Sequence, residues 1–268
     1  MIMVIITFLL MIMIIKVIKN NTVKAKLVNK EEIFGILNSV PSPVITEMFG
    51  YDFVILDTEH LLVSPEALEH AIRAAESVNI CVFVRVPNSS PAAIGRALDA
   101  GAQGIVVSRM SSVEEAKIAI SACYYPPLGN RGITGGKNTG FCTLPLSEYI
   151  TKANQEIVLT LMIENIEGVN ALPEIIKLPG IDMILEGALD LSLSMGHGVE
   201  FNHPHVQNNI LKISQLCQHE KITFCAIPRL PNQFTMWRKK GITAFLSGED
   251  RGLIFKAMQH NLNTLKYS

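Results

Sequence analysis

The sequence predicts an α/β chain closed as a (β/α)8 TIM barrel. Three observations carry that expectation. From residue 31 onward, short apolar runs alternate with longer amphipathic ones about eight times. Runs such as Phe53-Val54-Ile55-Leu56 are apolar without a break, the mark of a parallel strand covered on both faces. The 268 residues also suit one such barrel, which commonly fills roughly 200–250 residues as a single domain. A doubly wound open sheet is the runner-up arrangement for the same alternation.

Taken in order, the strands are expected at residues 33–37, 53–57, 81–86, 104–108, 157–163, 182–185, 223–227 and 244–246. Helices are expected at 64–78, 91–100, 113–123, 168–177, 205–219, 233–239 and 253–265. The first of these has Ser64 to cap its N-terminus and Pro65 at the first helical position. Residues 124–149 form the longest stretch without a pattern and contain PPLGNRGITGGKNTG. A loop of that length in a compact domain is usually functional. Nothing that resembles a linker or a tandem repeat divides the chain, so residues 21–268 are expected to be one catalytic domain.

Composition narrows the function. A net charge of −1 offers no basic face for nucleic acid. The cysteines, at 81, 123, 142, 217 and 225, are odd in number and form no CxxC pair. They point to a reduced, cytoplasmic protein rather than to a disulfide framework. The segment 1–20, MIMVIITFLLMIMIIKVIKN, departs from this composition because its first fifteen residues carry no charge. It is read either as a start placed too far upstream or as a membrane anchor, with a signal peptide third. In the anchor reading, Lys16, Lys19, Lys24 and Lys26 follow the apolar run and keep the catalytic domain in the cytoplasm.

Ionisable residues collect where the expected strands end, which is where barrels of this kind do their chemistry. Asp57, Glu59 and His60 follow the second strand, and Arg85 closes the third. Glu164 follows the fifth strand and Asp190 comes just after the sixth. Glu164 and Asp190 are hard oxygen ligands of the type Mg2+ or Mn2+ takes, with room left for a chelating 2-oxo acid. Arg85 suits a developing enolate or alkoxide, and His60, oriented by a carboxylate such as Asp57, suits a general base. The plainer reading of each is an ion pair on the barrel rim. Arg131 and Lys137 in the glycine-rich stretch suggest either phosphate binding or a simple flexible lid. His203 and His205 have a spacing that two ligands of one metal can share. With no further soft ligand in sequence they read as an exposed loop before a helix, and His197 as a surface residue.

The motifs YDFVILDTEH, VRVP, RALDAGAQGIVV, EEAKIAI, YYPPLGNRG, the IE of MIEN, LPGID and DLS together resemble the HpcH/HpaI aldolase family, metal-dependent class II aldolases of 2-oxo acids. The resemblance covers roughly residues 30–255. It implies a barrel whose last helix is exchanged between subunits of a dimer or a trimer of dimers. It implies His60 as base beside Asp57, Arg85 on the oxyanion, Glu164 and Asp190 as ligands of a divalent metal, and Asp99 reaching a neighbouring subunit's site. Gly187, Ala188 and Leu189 match the family's substrate-binding turn but replace its usual Gly-Pro-Ser. Met162 stands for the usual Gln, Leu61-Leu62 for Gly-Pro, and Ser108-Arg109-Met110 for a segment that usually begins with Pro. These departures make the pocket more apolar.

The run TVKAKLVNKEEIFGILNSVPSP and RGITGGKNTGF resemble one branch of the family, the citrate synthases of siderophore clusters of the staphyloferrin B type. The expected reaction is therefore citrate formation from oxaloacetate, with acetyl-CoA as co-substrate. The alternative is cleavage of a 2-oxo-3-deoxy sugar acid to pyruvate and an aldehyde. A third reading, from another class, is a catalytically weak barrel that binds a 2-oxo acid as a sensor or scaffold.

Overall fold

The computed structural model describes residues 20–267, and of the apolar segment 1–20 residues 1–19 lie outside the described residues. Eight parallel strands form a closed barrel in sequence order, with the first and last paired to each other. They are β1 (Ile33–Asn38), β2 (Phe53–Asp57), β3 (Cys81–Val86), β4 (Gly104–Val107), β5 (Val158–Ile163), β6 (Met183–Glu186), β7 (Thr223–Ala226) and β8 (Ala244–Glu249). All eight expected strands are present, so the open sheet is excluded.

The unbroken apolar strands serve two cores. Successive side chains of a strand point to opposite faces. Phe53, Ile55, Cys81, Phe83, Val106, Val158, Met162, Met183 and Leu185 point inward and fill the barrel. Val54, Leu56, Val82, Val84, Ile105, Leu159, Leu161 and Ile184 point outward against the helices. Inside, the rings of Phe53 and Phe83 stack at 5.1 Å. A Cβ on Gly35 would lie 2.2 Å from the Phe53 ring, so the small residue is what lets the large one in.

Helices α1 (Thr22–Asn29) and α2 (Pro43–Glu47) are additions to the expected set. Helix α1 closes the N-terminal end of the barrel, where Val23 is fully buried in the inner core. Asn21 caps it by accepting the Lys24 N–H, and its amide donates to the carbonyls of Gln103 and Glu156. Lys24 pairs with Asp182 at 2.5 Å and Lys26 with Asp52 at 2.6 Å. The expected helices follow as α3 (Pro65–Ser77), α4 (Pro91–Ala100) and α5 (Val113–Cys123), capped by Ser64, Ser90 and Ser112 in turn. The unpatterned stretch ends in another helix, α6 (Leu146–Glu156), which sequence reading missed. Then come α7 (Ile166–Ile175), α8 (Ala188–Ser194), α9 (Pro204–Glu220), α10 (Gln233–Lys239) and α11 (Asp250–Tyr267). Among the described residues, no helix is long and apolar enough to cross a membrane.

The glycine-rich stretch follows α5, so it connects a helix to a strand and lies at the N-terminal end of the barrel. Its cations are already engaged. Arg131 is buried, donates to Asp99 at 2.8 Å and lies over the Tyr125 ring, and Lys137 pairs with Glu76. Within one chain this loop is therefore neither a lid over the strand tips nor an open phosphate cradle.

Candidate active site

Inward alternation carries straight on past the inner core to the polar residues at the strand tips. Phe53 and Ile55 lead to Asp57, Cys81 and Phe83 to Arg85, Val106 to Ser108, and Val158 and Met162 to Glu164. The strands thus end in one polar layer at the C-terminal mouth, the catalytic end of such barrels. Asp57 and Arg85 are direct register partners across β2 and β3.

Arg85 is the hub of this layer. Its Nε donates to Asp57 Oδ1 at 2.9 Å and its Nη2 lies 2.8 Å from Oδ2, a two-pronged pair. Its Nη1 lies 3.3 Å from Glu59 Oε2. Three of the five guanidinium N–H groups are committed among the described residues, which leaves two for a ligand. Burial opposes the charge of Asp57, but the Arg85 guanidinium and the amides of Glu59 and His60 more than offset it. The carboxyl is held below the usual carboxylate range.

The expected Asp57–His60 pair is corrected by this geometry. Asp57 meets His60 only through the backbone N–H, at 3.5 Å. The imidazole Nε2 lies 3.6 Å from Glu59 Oε2 instead, on an exposed side chain. The pleat turns Asp57 inward to Arg85, while His60 arrives three residues later on the loop. Glu59, expected only to pair with a rim cation, does pair with Arg85, and it also links that residue to His60 and accepts the Ser108 hydroxyl at 2.6 Å.

Glu164 and Asp190 share one wall of a cavity of about 650 Å3, with Arg109, Ser108 and Asn165. Glu164 is buried, and its Oε1 accepts the Arg109 N–H at 2.7 Å. Arg109 reaches that position at φ 54°, an uncommon conformation for a residue with a side chain. Burial first, and then the charges of Glu59 and Asp190, push the Glu164 carboxyl up to about 7, against the pull of Arg109 and Arg85. Around Arg85 stand four carboxylates, so a divalent cation would relieve like-charge repulsion. The donor set, two acidic side chains with an open cavity beside them, fits Mg2+ or Mn2+.

Asp190 also lines a second cavity of about 210 Å3 in the barrel mouth, together with Arg85, Gly187, Leu189, Met162, Ile227 and Arg229. Of the substrate turn, Gly187 and Leu189 face this cavity. Ala188 does not, because it is buried in the outer core and its N–H is held by Glu186 at 2.9 Å. Arg229, unnoticed in the sequence, is fixed by Nη1 bonds to both Glu186 carboxylate oxygens at 2.8 and 3.0 Å. Its signal was its place just after β7. Asp99 lies at the far end of α4, on the opposite side of the barrel, so within one chain it does not join this site.

Gly187 is constrained by a neighbour. A Cβ there would lie 2.4 Å from Glu164 Cβ and 2.8 Å from its Oε2. Gly187→Ala is expected to displace Glu164, lower stability by about 1–3 kcal/mol and cut turnover more than about tenfold. Thermal melts and steady-state rates check both parts.

The HpcH/HpaI aldolase/citrate lyase family model matches residues 38–257. The chain is 30% identical over 251 residues to the 5-keto-4-deoxy-D-glucarate aldolase of Enterobacter sp. (strain 638), covering 92% of this chain and 97% of that one. Among solved structures, citrate synthase SbnG is 35% identical with a TM-score of 0.85, covering 91% of this chain and 96% of that one. The HpcH/HpaI aldolase from Desulfitobacterium hafniense DCB-2 is 26% identical at the same TM-score, over 91% of this chain and 96% of that one. These relatives are enzymes, and the sensor reading falls away. The chain belongs to the HpcH/HpaI aldolase/citrate lyase family, enzymes acting on 2-oxo acids.

Proposed function

We propose that this enzyme forms citrate from oxaloacetate and acetyl-CoA, in the siderophore-associated branch that its sequence resembles. The observation that carries this reading is the 210 Å3 cavity, in which Arg85 and Arg229 stand with Asp190 and Glu249 among otherwise apolar walls. Two fixed guanidinium groups suit a dicarboxylic 2-oxo acid better than pyruvate. The similarity to citrate synthase SbnG supports the same choice.

In this reading the two uncommitted N–H groups of Arg85 meet the ketone oxygen and an adjacent carboxylate, and Arg229 meets the distal carboxylate. His60, backed by Glu59, takes a proton from the thioester methyl group of acetyl-CoA. The resulting carbanion attacks the ketone carbon, and Arg85 stabilises the alkoxide as it forms. That oxygen takes up a proton, and water then hydrolyses the thioester. One oxaloacetate, one acetyl-CoA and one water thus become citrate, CoA and a proton. A divalent ion held by Glu164 and Asp190, when bound, would supply Lewis-acid polarisation of the ketone.

The test mixes purified protein with oxaloacetate and acetyl-CoA, follows free CoA thiol and identifies the product by mass. Citrate from the wild type and none from Arg85→Ala is the expected result. Pyruvate released from a 2-oxo-3-deoxy sugar acid, with no citrate, would favour the second reading. That alternative is supported by the sugar-acid aldolase similarity and by the polar 650 Å3 cavity, which Asn88, Ser89, Ser111 and Asn165 line.

The last helix supports assembly into an oligomer. Asp250 anchors its start by accepting from Asn38 and from the Ser39 N–H, yet the rest of the helix is unburied. Phe255, Met258, Leu262 and Leu265 form one apolar stripe, and the first two are 63% and 65% exposed. We read this helix as packing on a second copy, which also gives Asp99 a route to a neighbour's site. Phe255→Glu with Met258→Glu is expected to convert an oligomer to monomer by light scattering. A wild type that is already monomeric would sink this point.

A further inference from the structure

Beyond the helix that carries Asp190, three histidines that sequence reading treated as surface residues come together. The rings of His197 and His203 stack at 3.7 Å, and His205 lies 5.6 and 5.0 Å from them. One ring nitrogen from each lies within 4.8 Å of the others. The local backbone explains the convergence. Gly196 at φ 78° and Gly198 at φ 62° turn the chain on either side of His197, bringing it back over the start of α9. His203 is the N-cap of that helix and His205 lies in its first turn.

We propose that His197, His203 and His205 form a second cation site, made for a borderline transition-metal ion such as Zn2+ rather than for Mg2+. An all-imidazole donor set selects such ions over hard cations, which take oxygen ligands. Three histidines with an open fourth position are an established arrangement for tetrahedral zinc. Zn–N bonds of about 2.0–2.1 Å place two ligand nitrogens about 3.3 Å apart. The rings therefore close in by an ångström or so, which their partly and fully exposed side chains permit. Two forces oppose the ion. His203 Nδ1 now accepts the His205 N–H at 3.2 Å, and the N-terminus of α9 carries partial positive charge. Glu200, which acts electrostatically on His203, offsets the second.

The site sits on the connection from α8, the helix that carries Asp190, to α9. A bound ion would tie the far end of that connection to the helix after it. It shares no residue with the Glu164–Asp190 pair and differs from it in donor type, so each is removable alone.

The test titrates untagged protein with Zn2+ against a chromophoric chelator and records the visible spectrum with Co2+. The wild type and Glu164→Gln/Asp190→Asn are expected to bind one ion alike, with a Co2+ band typical of nitrogen-ligated four-coordinate metal. His203→Asn keeps a capping side chain but loses the imidazole. It and His197→Ala are each expected to weaken binding about 100-fold or more, since loss of outer-shell partners alone costs about 10–100-fold. Millimolar Mg2+ is expected to leave the Zn2+ titration unmoved. Zn2+ affinity unchanged in both histidine variants would overturn the proposal. So would binding that is lost in the carboxylate variant or in Cys142→Ser, the exposed cysteine.

Discussion

Arg85→Ala is expected to lower turnover on the order of 10²–10³-fold and to lower the melting temperature as well. The kinetic part follows from removing the guanidinium that, in the proposed reaction, stabilises the developing oxyanion. The stability part has a separate origin. The Asp57 side chain is 1% exposed, so removing Arg85 leaves a buried carboxylate without its cation, and Glu59 loses the same partner. Breaking such a pair costs about 3–5 kcal/mol, or roughly 10 °C for a chain of this size. Arg85→Lys separates the two effects. A lysine keeps the charge and much of the stability, but not the two-pronged geometry, and its turnover is expected to stay low. Because Asp57 and Arg85 act as a unit, Asp57→Asn with Arg85→Ala should destabilise by clearly less than the sum of the two. A wild-type rate in Arg85→Ala would dismiss the site as drawn.

Glu164→Gln is expected to lose most activity and yet to stabilise the metal-free protein at alkaline pH. The folded-state value of about 7 lies above the ordinary 4.5, so the folded chain holds a proton that the unfolded chain releases. Stability from this group is complete below pH 4.5, declines as pH rises, and is gone above about 7. At about 1.4 kcal/mol per pH unit, the charged form costs the fold about 3 kcal/mol. Glutamine cannot ionise, so in chelator the variant should match the wild type near pH 4.5 and exceed it at pH 8. Mn2+ added at pH 8 should close the gap by stabilising only the wild type. Melting curves with and without chelator at the two pH values decide the matter. Parallel curves for variant and wild type would remove the buried-acid account.

Some of this was open to reading one stretch at a time. The eight strands announce themselves because burial on both faces demands continuous apolar runs, and each run is local. Ser64-Pro65 announces α3 for the same reason, as a cap and a first residue are neighbours in sequence. That Asp57, Arg85, Glu164 and Asp190 sit at one rim followed from strand order alone. The family was legible too, because long motifs such as YDFVILDTEH carry it.

Partnership was another matter. Whether Asp57 orients His60 or grips Arg85 depends on the pleat and on the register of β2 against β3, and that register is a property of the closed barrel. Glu59 gained its place between Arg85, His60 and Ser108 only when three separate stretches met. Arg229 entered the pocket by the grip of Glu186, 43 residues away in sequence. The glycine-rich loop had a legible clue in its position after a helix, yet its cations were spent on Asp99 and Glu76 by packing no pattern displays. Sequence by itself determined the strands, the barrel and which residues stand at its mouth, because backbone alternation and burial act over a few residues. Only the tertiary structure decided which charge pairs with which, because ion pairs join chain segments that the closure of the barrel brings within 3 Å or so.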